Sequence, residues 1–283
     1  MLKGSAHKVV VLVHGLYGTP QQLQYIARKL NVQGGYTVYI PCIEGYSVSD
    51  RKGDRPDTKP WRSWLQALEE ILDSLKSEYA HVSLGGLCVG ATLCLALAMK
   101  RGRDVETLHL YSAPLCYDGW NVTWMRWFKF LGYYSPVRFM MSLAERPPYG
   151  LKDERIRQWV AAQMSKRGTS ALGSARSPLT GVVESERLMN YVKNRLAQIT
   201  VPTLILHSVE DDLASPRNAD RIERGISSRV IKKVLLDNCY HIITMDFEKE
   251  TVARETLQFL DQYMVVTEGV SAVRVPAAQC KLR

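Results

Sequence analysis

Gly86-Leu87-Cys88-Val89-Gly90 decides how the rest of this chain is read. It follows His81-Val82-Ser83-Leu84, which reads as a short buried strand, and opens a run to Lys100 whose Leu93, Leu95, Leu97 and Met99 read as a helix. A nucleophile on a sharp strand-to-helix turn sits in a strained backbone conformation, and only small flanking residues avoid a clash there. Glycines two positions either side of Cys88 meet that requirement. The amide of Val89 then opens the helix and, with the positive end of the helix dipole, faces any nearby oxyanion. Free cysteine is often no more than a small buried hydrophobe, so the case for chemistry at Cys88 depends on finding partners elsewhere.

With 283 residues, the chain is long enough for one large α/β domain carrying an insertion, or for two small domains. Its 46% hydrophobic content is ordinary for a soluble globular protein. Met1 to His7 contain no apolar core of a secretory signal. From Val82 to Met99 there is no charge, which is at the lower limit for a membrane span, but the three glycines and the strand-turn-helix pattern fit the buried centre of a fold better. The six cysteines form no C-x-x-C pair and no zinc-like spacing with the six histidines. Reduced thiols in the cytoplasm, with neither metal nor cofactor, are the expectation. Cys94, on the apolar helix, reads as core packing.

Working outward, Val9-Val10-Val11-Leu12-Val13 is an apolar run typical of a strand buried on both faces of a parallel sheet. His14-Gly15-Leu16-Tyr17-Gly18-Thr19-Pro20 makes a turn, with Pro20 placed to start a helix to Leu30. A strand from Tyr36 to Ile40, a polar loop from Pro41 to Pro60 and an amphipathic helix from Trp61 to Lys76 follow. After the Cys88 turn come a strand from Val105 to Tyr111 and, further on, one from Val201 to His207 that ends in Glu210-Asp211-Asp212. The last strand, Val230 to Leu236, leads to Asn238-Cys239-Tyr240-His241 and a helix from Phe247 to Tyr263. Strands alternating with helices predict a doubly wound, mostly parallel sheet. Carboxyl ends of such strands are where catalytic groups gather.

Residues 115–195 break the alternation. Trp120, Trp124, Trp127 and Leu131 share one helix face, which reads as core, as the wall of an acyl-binding pocket, or as both. This segment holds 13 Lys and Arg against 6 Asp and Glu, so most of the formal net charge of +9 resides in it. A basic surface over an apolar pocket suits an acyl group on an acidic carrier protein, on coenzyme A or at an anionic membrane surface. It equally suits the solvated face of a helical cap. No nucleic-acid-binding motif is present. The expected organisation is a core of 1–114 and 196–264, a helical cap over 115–195, and a disordered tail over 265–283.

Cys88, an acid after a later strand and His241 after the last strand run in the order nucleophile, acid, histidine. With His14-Gly15, Gly86-x-Cys88-x-Gly90, His207-Ser-Val-Glu-Asp211 and Tyr240-His241-Ile-Ile-Thr244-Met-Asp246, the chain resembles the α/β-hydrolase superfamily to about residue 264. The last of these segments is similar to bacterial carboxylesterases and monoacylglycerol-lipase-like enzymes. The resemblance implies an α/β-hydrolase fold with a cap, with Cys88 as nucleophile, His241 as base and acid, and Asp211, in preference to Asp212, orienting His241. It implies oxyanion-hole amides at Leu16 and Val89, with His14 supporting the Leu16 loop. Where many relatives carry Gly-His-Gly, this chain has Glu44-Gly45-Tyr46-Ser47.

Most members have serine where Cys88 stands. A thiol ionises more readily than a hydroxyl, and its acyl intermediate is a thioester able to pass the acyl group to an amine or alcohol as well as to water. The leading expectation is therefore hydrolysis of an acyl ester or thioester through acyl-Cys88. An acyltransferase or cyclase with the same triad is the alternative, and a non-catalytic ligand-binding relative the third reading.

Overall fold

The computed structural model describes residues 1–48, 57–122 and 135–264. Six strands form one parallel sheet: β1 (Lys8–Val13), β2 (Thr37–Tyr39), β3 (His81–Leu87), β4 (Leu108–Tyr111), β9 (Thr203–Ser208) and β10 (Ile231–Leu236), in the order β10-β9-β4-β3-β1-β2. β1, β3, β4 and β9 contain the buried apolar runs seen in the sequence, as expected of strands covered on both faces. Helices α1 (Gln21–Val32), α2 (Trp61–Lys76), α3 (Val89–Arg101), α6 (Arg217–Gly225) and α7 (Lys249–Tyr263) cover the sheet. This is the α/β-hydrolase architecture that the motifs imply.

β3 extends past the expected Leu84 because Gly85 and Gly86 stay in register with Leu12 and Val13 of β1 and with His109 and Leu110 of β4. In contrast, β4 starts at Leu108 and not Val105, since a 3-10 turn at 102–104 holds the chain until Val105 donates to Gly102 O. α3 is apolar almost all round and buries ten of its residues, so it serves as the centre of the helical layer and not as an amphipathic cover. Among the described residues, no helix is long and apolar enough to cross a membrane.

The segment expected as a helical cap is mixed. It contains α4 (Glu154–Arg167) and α5 (Leu179–Lys193), with two small antiparallel ribbons: β5 (Ser142–Ala144) with β8 (Arg176–Pro178), and β6 (Thr169–Ser170) with β7 (Gly173–Ser174). α5 packs against α3 and α2, burying Val183, Leu188, Met189 and Val192. α4 is capped by Asp153, whose carboxylate accepts from Arg155 N and Ile156 N, and ends at Gly168 in the left-handed region.

Candidate active site

Cys88 occupies the turn between β3 and α3 at φ 56° and ψ −130°, a conformation costing a non-glycine residue about 1–3 kcal/mol. Its amide donates to Tyr111 O at 2.9 Å, which ties the turn to the end of β4. The flanking glycines are dictated by packing. A Cβ at Gly86 would lie 2.4 Å from Gly90 C, and one at Gly90 would lie 2.3 Å from Val13 O. α3 can therefore start against the ends of β3 and β1 only if both positions lack a side chain. As the first residue of α3, Val89 has an amide with no intrahelical acceptor.

His241 lies in the loop after β10. Its Nδ1 is hydrogen-bonded to Asp211 Oδ1 at 2.9 Å and Oδ2 at 2.8 Å. Its Nε2 is buried without a conventional hydrogen-bond acceptor, and the polar group within its reach is the Cys88 thiol. Burial works against protonation of His241, but Asp211 and Cys88 outweigh it and hold the imidazole well above its ordinary range. Cys88, Asp211 and His241, 153 positions apart at the extremes in the sequence, thus meet at the carboxyl ends of the central strands, all three being buried.

The two adjacent carboxylates divide the work. Asp211 Oδ1 also accepts from Leu213 N and Ala214 N at 2.9 and 2.7 Å, which fixes its plane against the histidine ring. Burial opposes ionisation of Asp211, yet His241, His207 and the Ala214 amide bring its pKa below the usual carboxylate value. Asp212 instead accepts the backbone amide of His241 at 3.3 Å, and burial raises its pKa. Ring and backbone of one histidine are therefore held by neighbouring acids.

The loop after β1 passes beside the thiol: a Cβ on Gly15 would lie 3.5 Å from Cys88 Cβ. Gly15 N donates to Gln22 Oε1 at 2.8 Å and Tyr17 N to Tyr46 O at 2.8 Å, whereas Leu16 N has no acceptor among the described residues. His14 is fully buried and burial lowers its pKa to about 4, so it is neutral. Nδ1 then donates to Gly15 O at 2.8 Å and Nε2 accepts from Ser47 Oγ at 2.9 Å, while that oxygen accepts from Ile43 N. Tyr46 Oη donates to His14 O at 2.6 Å. Glu44-Gly45-Tyr46-Ser47 thus braces this loop, a role its polar composition alone did not reveal.

Two further supports link distant segments. Gln22 Nε2 donates to Leu172 O, and its carbonyl accepts from Thr244 Oγ1, at 2.6 Å in each case. The buried Asp246 carboxylate accepts amides from Lys152, Asp153, Tyr240 and Phe247 at 2.7–3.0 Å. The Thr-x-Asp portion of the His241 segment therefore holds that loop to α1 and to the start of α4.

Of the three tryptophans expected at the acyl pocket, Trp124 and Trp127 lie outside the described residues. Trp120 is 54% exposed, donates Nε1 to Glu210 O at 3.1 Å and packs edge-on against Tyr240. It therefore borders the acid and histidine loops from the outside. Tyr46 and Tyr117 lie within electrostatic range of Cys88, and burial first, with Cys88 adding to it, keeps both phenols protonated. Cys94 donates to Gly85 O at 3.3 Å, and burial pushes its thiol pKa up, in keeping with a packing role.

Comparison with known proteins gives concordant matches. The thermostable monoacylglycerol lipase of Bacillus sp. (strain H-257) is 26% identical over 254 residues, covering 90% of each chain. The carboxylesterase of Bacillus subtilis (strain 168) is 22% identical over 256 residues, 90% of this chain and 93% of that one. In fold, a soluble variant of the monoglyceride lipase from Saccharomyces cerevisiae superposes with a TM-score of 0.75 at 14% identity, over 94% of this chain and 90% of that one. The model of the Hydrolase_4 family, described as serine aminopeptidase S33, matches residues 4–249, and the chain belongs to that family of α/β-hydrolases.

Proposed function

We propose that the protein is a carboxylic ester hydrolase working through an acyl-cysteine intermediate on Cys88, with acyl thioesters as further donors. The observation that carries this reading is the arrangement around His241, where Asp211 holds one ring nitrogen and the other faces the Cys88 thiol. Relatives named monoacylglycerol lipase and carboxylesterase, aligned over nine-tenths of the chain, support the substrate class. The departure from a family described by serine is the thiol.

In the first step the sulfur of Cys88 attacks the ester carbonyl carbon, its proton being carried on His241 Nε2. Asp211 favours the imidazolium so formed. The carbonyl oxygen, now carrying the negative charge, accepts from Leu16 N and Val89 N. Collapse of the tetrahedral adduct breaks the carbon–oxygen bond, and His241 returns its proton to the leaving alcohol. Water then attacks the thioester, giving a proton to His241 and its oxygen to the acyl carbon. Release of the carboxylic acid restores the thiol.

Mass spectrometry after incubation with a medium-chain p-nitrophenyl ester tests the assignment. The peptide containing Cys88 should gain one acyl group, and Cys88→Ala should lose both that adduct and at least ~10³-fold in kcat. Full activity in Cys88→Ala would end the reading. Alcohols and amines added to the same assay test hydrolysis against transfer: constant release of free acid supports a hydrolase, and diversion of the acyl group to the acceptor identifies an acyltransferase or cyclase.

A further inference from the structure

On a flank of the sheet domain, away from the three catalytic candidates, a hollow of about 700 Å³ opens between the end of α5 and the exposed side of α6. Lys193, Arg217, Arg221 and Arg224 line it over a floor that includes Leu196 and Gly225. All four cations are exposed, and none has an ion pair or side-chain hydrogen bond among the described residues. The one acid in the lining, Asp220, is engaged by Lys233 at 2.7 Å.

Like charges dominate one face of α6. Arg217, Arg221 and Arg224 fall at i, i+4 and i+7 on α6, so like charges stack along one face, an arrangement that destabilises a helix by about 0.2–0.5 kcal/mol per pair. Asp220, one turn before Arg224, offsets part of it, although its carboxylate and that of Glu223 are also engaged by Lys233. The cluster was also hidden in the charge count, since the three arginines belong to the core segments, whose net charge is close to zero.

We propose that this hollow is a binding site for the diphosphate group of a small ligand. Three guanidiniums present forked donors suited to phosphate oxygens, and Lys193 adds a point charge from the opposite wall. Four cations around one concavity match a group carrying two adjacent phosphates better than a single carboxylate, and a concave site suits a small molecule better than the convex face of an acidic helix. A short run of contacts leads from the hollow towards Cys88. Cys116 N and Cys116 Sγ both contact Asn218 of α6, and the charges of Arg221 and Lys193 are felt at that thiol. The next residue, Tyr117, is in range of Cys88. The proposal does not rest on hydrolysis at Cys88.

Calorimetric titration of the full chain with inorganic pyrophosphate, at low ionic strength and neutral pH, tests it. Saturable binding at one site is expected, weakening by at least about tenfold in Arg221→Ala/Arg224→Ala and, independently, in Lys193→Ala/Arg217→Ala. These exposed truncations should leave the melting temperature and the hydrolysis of a neutral ester unchanged. The control is Arg28→Ala/Arg155→Ala, which removes the same charge on another face and should bind pyrophosphate as wild type does. No saturable binding, or equal weakening in the control, overturns the proposal. Pyrophosphate is then added to assays of a neutral ester and of a medium-chain coenzyme A thioester: inhibition of the thioester alone identifies the site with a substrate's handle, and inhibition of neither identifies it with a separate diphosphate ligand.

Discussion

His14 and His241 follow two strands of the same sheet, are both essentially shut off from solvent, and carry opposite charge preferences. Around His14 the partners are a carbonyl and a hydroxyl, neither of which repays the desolvation of an imidazolium, so burial prevails and the pKa lies at about 4. Around His241 the partner is a carboxylate that two backbone amides keep in place, and there the attraction prevails over burial. Burial alone therefore does not tell what a histidine does. The identity of the group facing its ring decides whether it props a loop or moves a proton.

The strongest way to break this contrast is to neutralise the carboxylate. Asp211→Asn should lower kcat by about 10³–10⁴-fold, because the amide leaves His241 without an ionic partner and in competition for the wrong tautomer. Asp212→Asn keeps an oxygen able to accept from His241 N and should cost no more than about fivefold. Equal losses in steady-state kinetics would refute the division of labour between the two acids.

A second measurement sharpens the contrast through pH. His14 has a lowered folded pKa, so the unfolded chain binds its proton first as pH falls. Its contribution to stability is complete above pH ~6.5 and is lost between there and about 4, by up to about 3 kcal/mol. His109 and His207, also buried and lowered, act in the same direction. His241, with a raised folded pKa, contributes stability that is complete below pH ~6.5 and is lost as pH rises through its folded value. Urea midpoints across this range should show a shallower acid limb in His14→Asn and a shallower alkaline decline in His241→Gln. Parallel curves for wild type and both variants would contradict the opposite charge preferences.

The smallest expected effect concerns the bond that ties the His241 loop to α1. Thr244→Val removes the donor to Gln22 O and should lower stability by about 1 kcal/mol, read as a modest drop in melting temperature, with the acylation rate nearly unchanged. A large loss of rate with unchanged stability would show that this bond positions catalytic groups and not merely the fold.

Much of this site was legible in the sequence because its signals are local. Glycines two residues either side of Cys88 mark the turn, and apolar runs before His14, Asp211 and His241 mark the strands that deliver them. What escaped was the bracing by Gln22, Tyr46, Ser47 and Asp246. Their bonds cross 33 to 222 positions of sequence in the case of Ser47 to His14 and Thr244 to Gln22, and nothing in the residues adjacent to Gln22 hints at its partners. The ribbons within the expected helical cap escaped for a related reason: the two-residue strands at 169–170 and 173–174 are too short to show alternation, and they exist only as a paired ribbon. Charge totals failed in turn at α6, where an even balance over the core concealed three arginines lining one hollow.

The long link between Gln22 and Thr244 also sets a time order for the protein's birth. Cys88 leaves the ribosome with its strand and turn, but His241, its proposed base, and the threonine that docks that histidine's loop come about 150 residues later, roughly 8–30 s at ordinary synthesis rates. Throughout that interval the nascent chain carries Cys88 without its histidine neighbour. In the proposed mechanism, reactivity would be conferred only once the last sheet strand and the loop after it have been made.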